Sequence, residues 1–93
     1  MGQQVSAHVI ISGKVQGVFF RDETRKTAIR FGVTGWVRNR ADGTVEALME
    51  GLREEVEALI AWCHKGSPMS RVDHVDVKWK EYTGEFDRFE VTY

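Results

Sequence analysis

The sequence predicts an α+β fold in which two helices cover one face of a small, mostly antiparallel β-sheet. Three observations predict this fold. Short β-rich or alternating segments are interrupted by two segments in which apolar residues recur at helical spacing. Asp42 and Gly43 form a strong hairpin signal between two of the strands. The resulting element order, β-α-β-β-α-β plus a short C-terminal strand, is that of a ferredoxin-like α/β sandwich.

The first half of the chain contains three predicted strands and one helix. Residues 7–12 are rich in β-branched side chains and predict the first strand. The helix is predicted from Asp22, where two carboxylates suit the positive end of the helix dipole, and it ends at Gly32. Residues 33–40 and 44–50 are predicted as the second and third strands, on either side of the hairpin turn.

The second half contains the other helix and two more strands. The helix is predicted from one continuous apolar stripe, formed by Leu52, Val56, Leu59, Ile60 and Cys63. Gly66 and Pro68 end it. Residues 75–80 and 89–93 alternate between apolar and polar side chains and are predicted as strands. Because a sheet of this size cannot be covered on both faces by two helices, we expect both helices on one face.

Composition limits the class of protein. With 93 residues, 42% of them hydrophobic and 29% charged, the chain is expected to form a single domain over residues 1–93. A net charge of −1 argues against a dedicated nucleic-acid partner. No apolar run approaches the roughly 18 residues of a membrane span. The single cysteine, Cys63, cannot form an intramolecular disulfide, so we expect a cytoplasmic protein, and for so small a domain a monomer.

The segment of residues 13–21, Gly-Lys-Val-Gln-Gly-Val-Phe-Phe-Arg, lies between the first strand and the first helix. Its two glycines permit a tight loop with converging backbone N–H groups, and a helix N-terminus adds unpaired donors. Arg21 could bind two oxygens of an anion held there. These residues suit an oxyanion, most simply phosphate. A glycine turn followed by a surface arginine fits them equally well, and the local sequence leaves both interpretations open.

Two common phosphate-binding motifs are absent. A P-loop ending at Lys14 would require glycine at position 8 and serine or threonine at position 15, where the chain has His8 and Val15. The pattern Gly-x-Gly-x-x-Gly does not occur. The sequence therefore disfavours the common kinds of nucleotide binding.

A second polar candidate, Asn39, lies near the end of the second predicted strand. On local grounds it is best interpreted as an asparagine that precedes the hairpin turn. The histidines His8, His64 and His74 show no ligand spacing to another His or Cys, apart from the adjacent Cys63–His64 pair. Because adjacent helix residues point in different directions, no metal site is expected.

Together these segments resemble the acylphosphatase family. Residues 13–21 are similar to its phosphate-loop signature, and residues 35–39 with 42–45 are similar to its second motif. Residues 66–68, followed by Arg71 and Val72, resemble the connection after its second helix, and the similarity extends from about Ala7 to Tyr93. One departure is Thr92, which stands where many members have an arginine.

The resemblance implies hydrolysis of the carboxyl–phosphate bond of acyl phosphates, with no metal, no cofactor and no covalent intermediate. It implies that Asn39 orients the attacking water and that inorganic phosphate is a product and an inhibitor. The implied phosphate-binding residues are Val15, Gln16, Gly17, Val18, Phe19, Phe20 and Arg21, through loop amides and the Arg21 guanidinium. This is chemically consistent, because positioning and electrostatic stabilisation supply most of the catalysis of phosphoryl transfer.

Two other function classes are alternatives for a chain with this predicted fold. RNA-recognition modules share the fold but carry aromatic residues on central strands. Here Phe19 and Phe20 are predicted in a loop, and the third strand has two carboxylates and no aromatic residue. The other alternative is a regulatory domain that keeps the anion site and has lost turnover, which a hydrolysis assay distinguishes from an enzyme.

Overall fold

The elements of secondary structure follow the predicted order in the computed structural model, which describes residues 2–93. They are β1 (Gln4–Lys14), α1 (Phe20–Phe31), β2 (Thr34–Asn39), β3 (Val45–Leu52), α2 (Arg53–Lys65), β4 (Arg71–Lys80) and β5 (Phe89–Val91). Within residues 2–93, no helix has both the length and the apolar character needed to cross a membrane.

The five strands form one sheet in the order β4-β1-β3-β2-β5. All neighbours pair antiparallel except β2 and β5, which pair parallel. Helix α1 contacts β2 and β5, whereas α2 contacts β1, β3 and β4, and the two helices contact each other. The predicted ferredoxin-like fold, with both helices on one face of a mostly antiparallel sheet, is confirmed.

The core lies between this face and the helices because side chains alternate across each strand. On β1 every second residue from Val5 to Ile11 is buried, and the inward residues of β3 from Val45 to Met49 continue the same layer. Helix α2 closes the layer with its apolar stripe, of which Val56, Leu59, Ile60 and Cys63 are buried. Leu52, predicted as part of that stripe, is instead the last residue of β3.

Several element boundaries differ from the prediction by a few residues, and two of these differences have identifiable reasons. Helix α1 begins at Phe20, not Asp22, because the chain enters it through a left-handed residue, Phe19, with no polar capping side chain to mark the start. Strand β4 begins at Arg71, well before position 75. A shift of register between Ser12 and Gly13 on the neighbouring strand interrupts the alternation there.

The sheet topology places two chain segments at one edge. Strands β1 and β2 both pair antiparallel with β3, so they run in the same direction and end at the same edge of the sheet. In the register of these pairs, Val45 lies opposite both Ile11 and Asn39. The loop that follows β1 and the last residue of β2 therefore lie close together, about two strand spacings of roughly 4.8 Å apart, with β3 between them.

Candidate active site

The loop between β1 and α1 has a backbone shape suited to binding an anion. Gly17 has φ 74° and Phe19 has φ 62°, both left-handed, and Phe19 is the only non-glycine residue with positive φ in residues 2–93. Val18, between them, therefore has negative φ. Where the sign of φ alternates in this way, successive N–H groups can converge on one side of a loop, as they do in anion-binding nests. We call residues 15–19 the cradle loop.

The start of α1 adds further donors beside the cradle loop. No side chain caps the helix at Phe19, and the first helical hydrogen bond runs from the backbone N–H of Glu23 to the carbonyl of Phe19, at 3.0 Å. The N–H groups of residues 20–22 therefore have no intrahelical partner. Together with the helix dipole they favour a negatively charged ligand.

Arg21 is the second residue of α1 and is half-buried. Its guanidinium carbon lies 5.1 Å from the ring centre of Tyr93. No ion pair within residues 2–93 includes Arg21, whereas Arg38 and Arg53 each lie beside a glutamate. Because no described carboxylate neutralises it, the charge of Arg21 is available to an anionic ligand.

Asn39 is the last residue of β2, and its side chain lies on the helix-covered face, as do Gly35 and Val37. Its Oδ1 is buried and has no hydrogen-bond partner, and no other buried side-chain oxygen or nitrogen in residues 2–93 is in that condition. An unpaired buried acceptor costs about 1–3 kcal/mol. Such a group calls for an explanation, and a ligand or a bound water that it orients would supply one.

One cavity of about 670 Å³ joins these features. Its lining includes Val15, Gly17, Phe19, Phe20, Arg21 and Asn39. The structure thus brings together two residues that belong to different elements, Arg21 of α1 and Asn39 of β2. Of the predicted phosphate-binding residues, Gln16 and Val18 do not line the cavity.

Comparison with known proteins gives one consistent result. The family model described as Acylphosphatase matches residues 7–91. A protein of Pelotomaculum thermopropionicum named acylphosphatase is 58% identical over 87 residues, which cover 94% of this chain and 95% of that protein. The crystal structure of acylphosphatase from Bacillus subtilis superposes with a TM-score of 0.93 at 34% identity, covering 96% of this chain and 99% of that one. The structure of an acylphosphatase from Coxiella burnetii gives 0.91 at 37% identity, covering 96% and 93%.

The chain belongs to the acylphosphatase family. The predicted family, the acylphosphatase activity and the assignment as an enzyme are therefore confirmed.

Two residues hold the cradle loop of this acylphosphatase in ways that the sequence did not indicate. The Gln16 side chain does not line the cavity, and its Nε2 donates to the carbonyls of Arg40 and Thr44, at 2.8 and 2.9 Å. The buried hydroxyl of Ser67, in the α2–β4 connection, donates to the carbonyl of Val18 at 2.8 Å. The carbonyl oxygen of Val18 carries partial negative charge and would repel an anion that it faced. Its hydrogen bond from Ser67 offsets this charge. In the sequence, only the family resemblance points to the segment that contains Ser67.

The other titratable candidates lie outside the cavity lining. Cys63 is fully buried, and burial raises the pKa of its thiol to about 12, so the thiolate is not populated near neutral pH. His8 pairs with Glu46 at 2.6 Å on the open face of the sheet. Burial opposes ionisation of Glu46, but hydrogen bonds from His8 and Arg38 outweigh it and lower the pKa of this carboxyl. In residues 2–93 no group of three or more His, Cys, Asp or Glu side chains is arranged to hold a metal ion.

Proposed function

We propose that this acylphosphatase holds the phosphoryl group of an acyl phosphate in the cradle loop and on Arg21, and that Asn39 orients the attacking water. The observation that carries the proposal is the unpaired, buried Oδ1 of Asn39 in the same cavity as the cradle. An amide oxygen can accept a hydrogen bond from water and so direct the lone pairs of that water toward phosphorus.

Binding follows from charge and donor geometry. The phosphoryl group brings negative charge, and the cradle amides, the helix N-terminus and the Arg21 guanidinium supply donors on one side of it. These donors are in place before the substrate arrives, so little reorganisation is needed as charge shifts onto the phosphoryl oxygens in the transition state.

The proposed step is direct hydrolysis. The water oxygen forms a bond to phosphorus, the bond between phosphorus and the acyl oxygen breaks, and its electron pair leaves on the carboxylate. One proton of the water passes to a phosphoryl oxygen. Because a carboxylic acid has a pKa of about 4, the leaving carboxylate needs no proton at neutral pH. The step therefore requires no general acid, and an amide is sufficient at position 39.

The substrate is proposed to be a small-molecule acyl phosphate, with inorganic phosphate as product and competitive inhibitor and with no metal or cofactor. Phosphate release from acetyl phosphate with a chelator present tests this proposal, and p-nitrophenyl phosphate is the comparison substrate. We expect turnover of the first and almost none of the second, because nothing in the proposed step protonates a poor leaving group. Comparable rates on both, or loss of activity with the chelator, would contradict the proposed chemistry.

The division of roles between Arg21 and Asn39 is tested by two substitutions. Arg21→Gln is expected to reduce kcat/KM by about 10²- to 10⁴-fold and to weaken phosphate inhibition, since it removes about two charge-assisted hydrogen bonds of about 1.5–3 kcal/mol each. Asn39→Ala is expected to lower kcat by about 10²-fold and to leave the inhibition constant of phosphate within about threefold.

Arg30→Gln is the matched control, because Arg30 is exposed in the last turn of the same helix, away from the cavity lining. It should leave kcat and phosphate inhibition unchanged. If Asn39→Ala weakens phosphate binding as much as Arg21→Gln does, or keeps near-normal turnover, Asn39 does not have the role proposed.

We also propose that the enzyme acts as a monomer in the cytoplasm. The absence of any possible intramolecular disulfide suits a reducing compartment, because Cys63 is the only cysteine. Exposed large apolar side chains come from different elements and loops, and they are Phe19, Ile29, Met69, Trp79, Tyr82 and Tyr93. Light scattering after size-exclusion chromatography should give a mass near 10.6 kDa.

A further inference from the structure

The Gln16 side chain joins two segments that are far apart in sequence. Its Nε2 donates one hydrogen bond to the carbonyl of Arg40 and one to the carbonyl of Thr44, at 2.8 and 2.9 Å. These carbonyls lie on the two sides of the β2–β3 turn. Both hydrogens of the amide nitrogen are therefore used on the hairpin, and none is available to a ligand in the cavity.

The hairpin is already closed without these two bonds. The backbone N–H of Arg40 donates to the carbonyl of Thr44 at 2.8 Å, and that of Gly43 donates to the carbonyl of Arg40 at 3.2 Å. Asp42 accepts hydrogen bonds from the backbone N–H and the hydroxyl of Thr44, at 3.0 and 2.6 Å. Each carbonyl that Gln16 contacts thus has a backbone partner of its own. The bonds from Gln16 add a link between the hairpin and the cradle loop.

That link connects the two halves of the proposed site. Gln16 directly precedes Gly17 in the cradle loop, and Arg40 directly follows Asn39. A carbonyl held one residue beyond Asn39 limits how far the end of β2 can move relative to the phosphate position. Displacement of a reacting group by about 1 Å can cost about 10²-fold in rate.

We propose that Gln16 is a positioning residue that sets the distance between Asn39 and the phosphate cradle. This inference rests on the proposed function, in which Asn39 orients the water. Gln16 then acts on turnover through Asn39, while its own backbone stays in the cradle loop. Removing the side-chain amide should therefore lower turnover, which depends on the orientation of the water, and leave the affinity for phosphate unchanged.

The test is Gln16→Met, which keeps the length of the side chain and removes both donors. We expect kcat for acetyl phosphate to fall by about tenfold or more, with the inhibition constant of inorganic phosphate within about twofold of its original value. Gln3→Met makes the same exchange at an exposed position outside the cavity lining and should change neither quantity. A rise in the phosphate inhibition constant that matches the fall in kcat would overturn the inference, because Gln16 would then be shaping the cradle itself.

A double-mutant cycle separates positioning from general support of the fold. In the Asn39→Ala background the water is no longer oriented, so adding Gln16→Met should lower kcat by no more than about twofold. If the two losses multiply, Gln16 does not act through Asn39 and the inference is wrong. If Asn39→Ala alone retains full turnover, Asn39 does not orient the water. The proposed function is then wrong, whatever the effect of Gln16→Met. Should Gln16→Met not fold, Gln16→Ala removes both donors without adding charge, and the same expectations apply to it.

Discussion

Two loops of this acylphosphatase, the cradle loop and the β4–β5 loop, contain a left-handed glycine, and in only one of them does a carboxylate of the protein itself, within residues 2–93, accept hydrogen bonds from the backbone N–H groups of the loop. In the β4–β5 loop, residues 81–88, the acceptor is the carboxylate of Glu50. Its oxygens accept hydrogen bonds from the N–H groups of Thr83 and Gly84, at 3.1 and 3.0 Å, and from the Thr83 hydroxyl at 2.9 Å. Gly84 has φ 71°, close to the 74° of Gly17 in the cradle loop.

The two loops differ in which backbone groups the protein itself satisfies. In the β4–β5 loop the buried carboxylate of Glu50 accepts hydrogen bonds from the N–H groups. In the cradle loop the protein instead satisfies a carbonyl, because the buried hydroxyl of Ser67 donates a hydrogen bond to the carbonyl of Val18. The first arrangement is complete without a ligand, whereas the second leaves the N–H groups of the loop unmatched. A left-handed glycine and converging amides therefore do not by themselves mark a functional site, and what distinguishes one is the group left without a partner.

Removing the Glu50 carboxylate, which belongs to β3 and binds the β4–β5 loop, should have the largest effect on stability. Glu50→Ala removes a fully buried carboxylate together with its hydrogen bonds from the N–H groups of Thr83 and Gly84, and we expect the free energy of unfolding to fall by about 3 kcal/mol. Denaturant titration measures this loss. Glu81→Ala, an exposed change in the same loop, should be close to neutral.

The same variant also tests whether the two loops are alike. With Glu50 truncated to alanine, the β4–β5 loop should become a weak carboxylate site, so added acetate should raise the Tm of the variant more than that of the unaltered protein. An equal response of both proteins to acetate would show that the resemblance between the loops is only one of backbone shape.

The next effect in size is expected at Ser67. Ser67→Ala leaves the carbonyl of Val18 buried without its donor, which should cost about 2 kcal/mol in the free energy of unfolding. The freed carbonyl can also turn toward the anion, so phosphate should inhibit less strongly. Ser12→Ala, a half-buried change on the open face of the sheet, is the control. Loss of stability with unchanged phosphate inhibition would mean that Ser67 supports the fold and leaves the cradle unaffected.

The smallest effect concerns backbone strain in the cradle loop. Phe19 is 72% exposed at φ 62°, so its side chain contributes little burial while its backbone conformation is costly. Phe19→Gly should raise the free energy of unfolding by about 0.5 kcal/mol, since relief of about 1–2 kcal/mol of left-handed strain exceeds the entropic cost of glycine, about 0.5–1 kcal/mol. Phe19→Ala keeps the strain and serves as the comparison. Equal stabilities of the two variants would contradict this account.

The sequence was informative where the signal is local. The stripe that ends at Cys63 predicts α2, and Asp42 with Gly43 predicts the turn between β2 and β3. It was less reliable where one strand distorts its neighbour. The early start of β4 accompanies the irregular pairing at Gly13, where a Cβ atom would collide with the carbonyl oxygen of Arg71. That close approach involves residues distant in sequence, so no pattern within β4 reveals it.

For the candidate site, the sequence by itself determined the element order, the family resemblance and the residue types of Arg21, Asn39 and the cradle loop. On local grounds it assigned Asn39 to a turn and left the loop undecided between an anion site and a surface turn. The tertiary structure decided that Arg21 and Asn39 line one cavity, that the Asn39 oxygen is buried without a partner, and that Gln16 and Ser67 tether the loop. The reason is physical: periodicity and turn propensity are local, whereas burial and hydrogen-bond partnership depend on which segments the sheet register brings together.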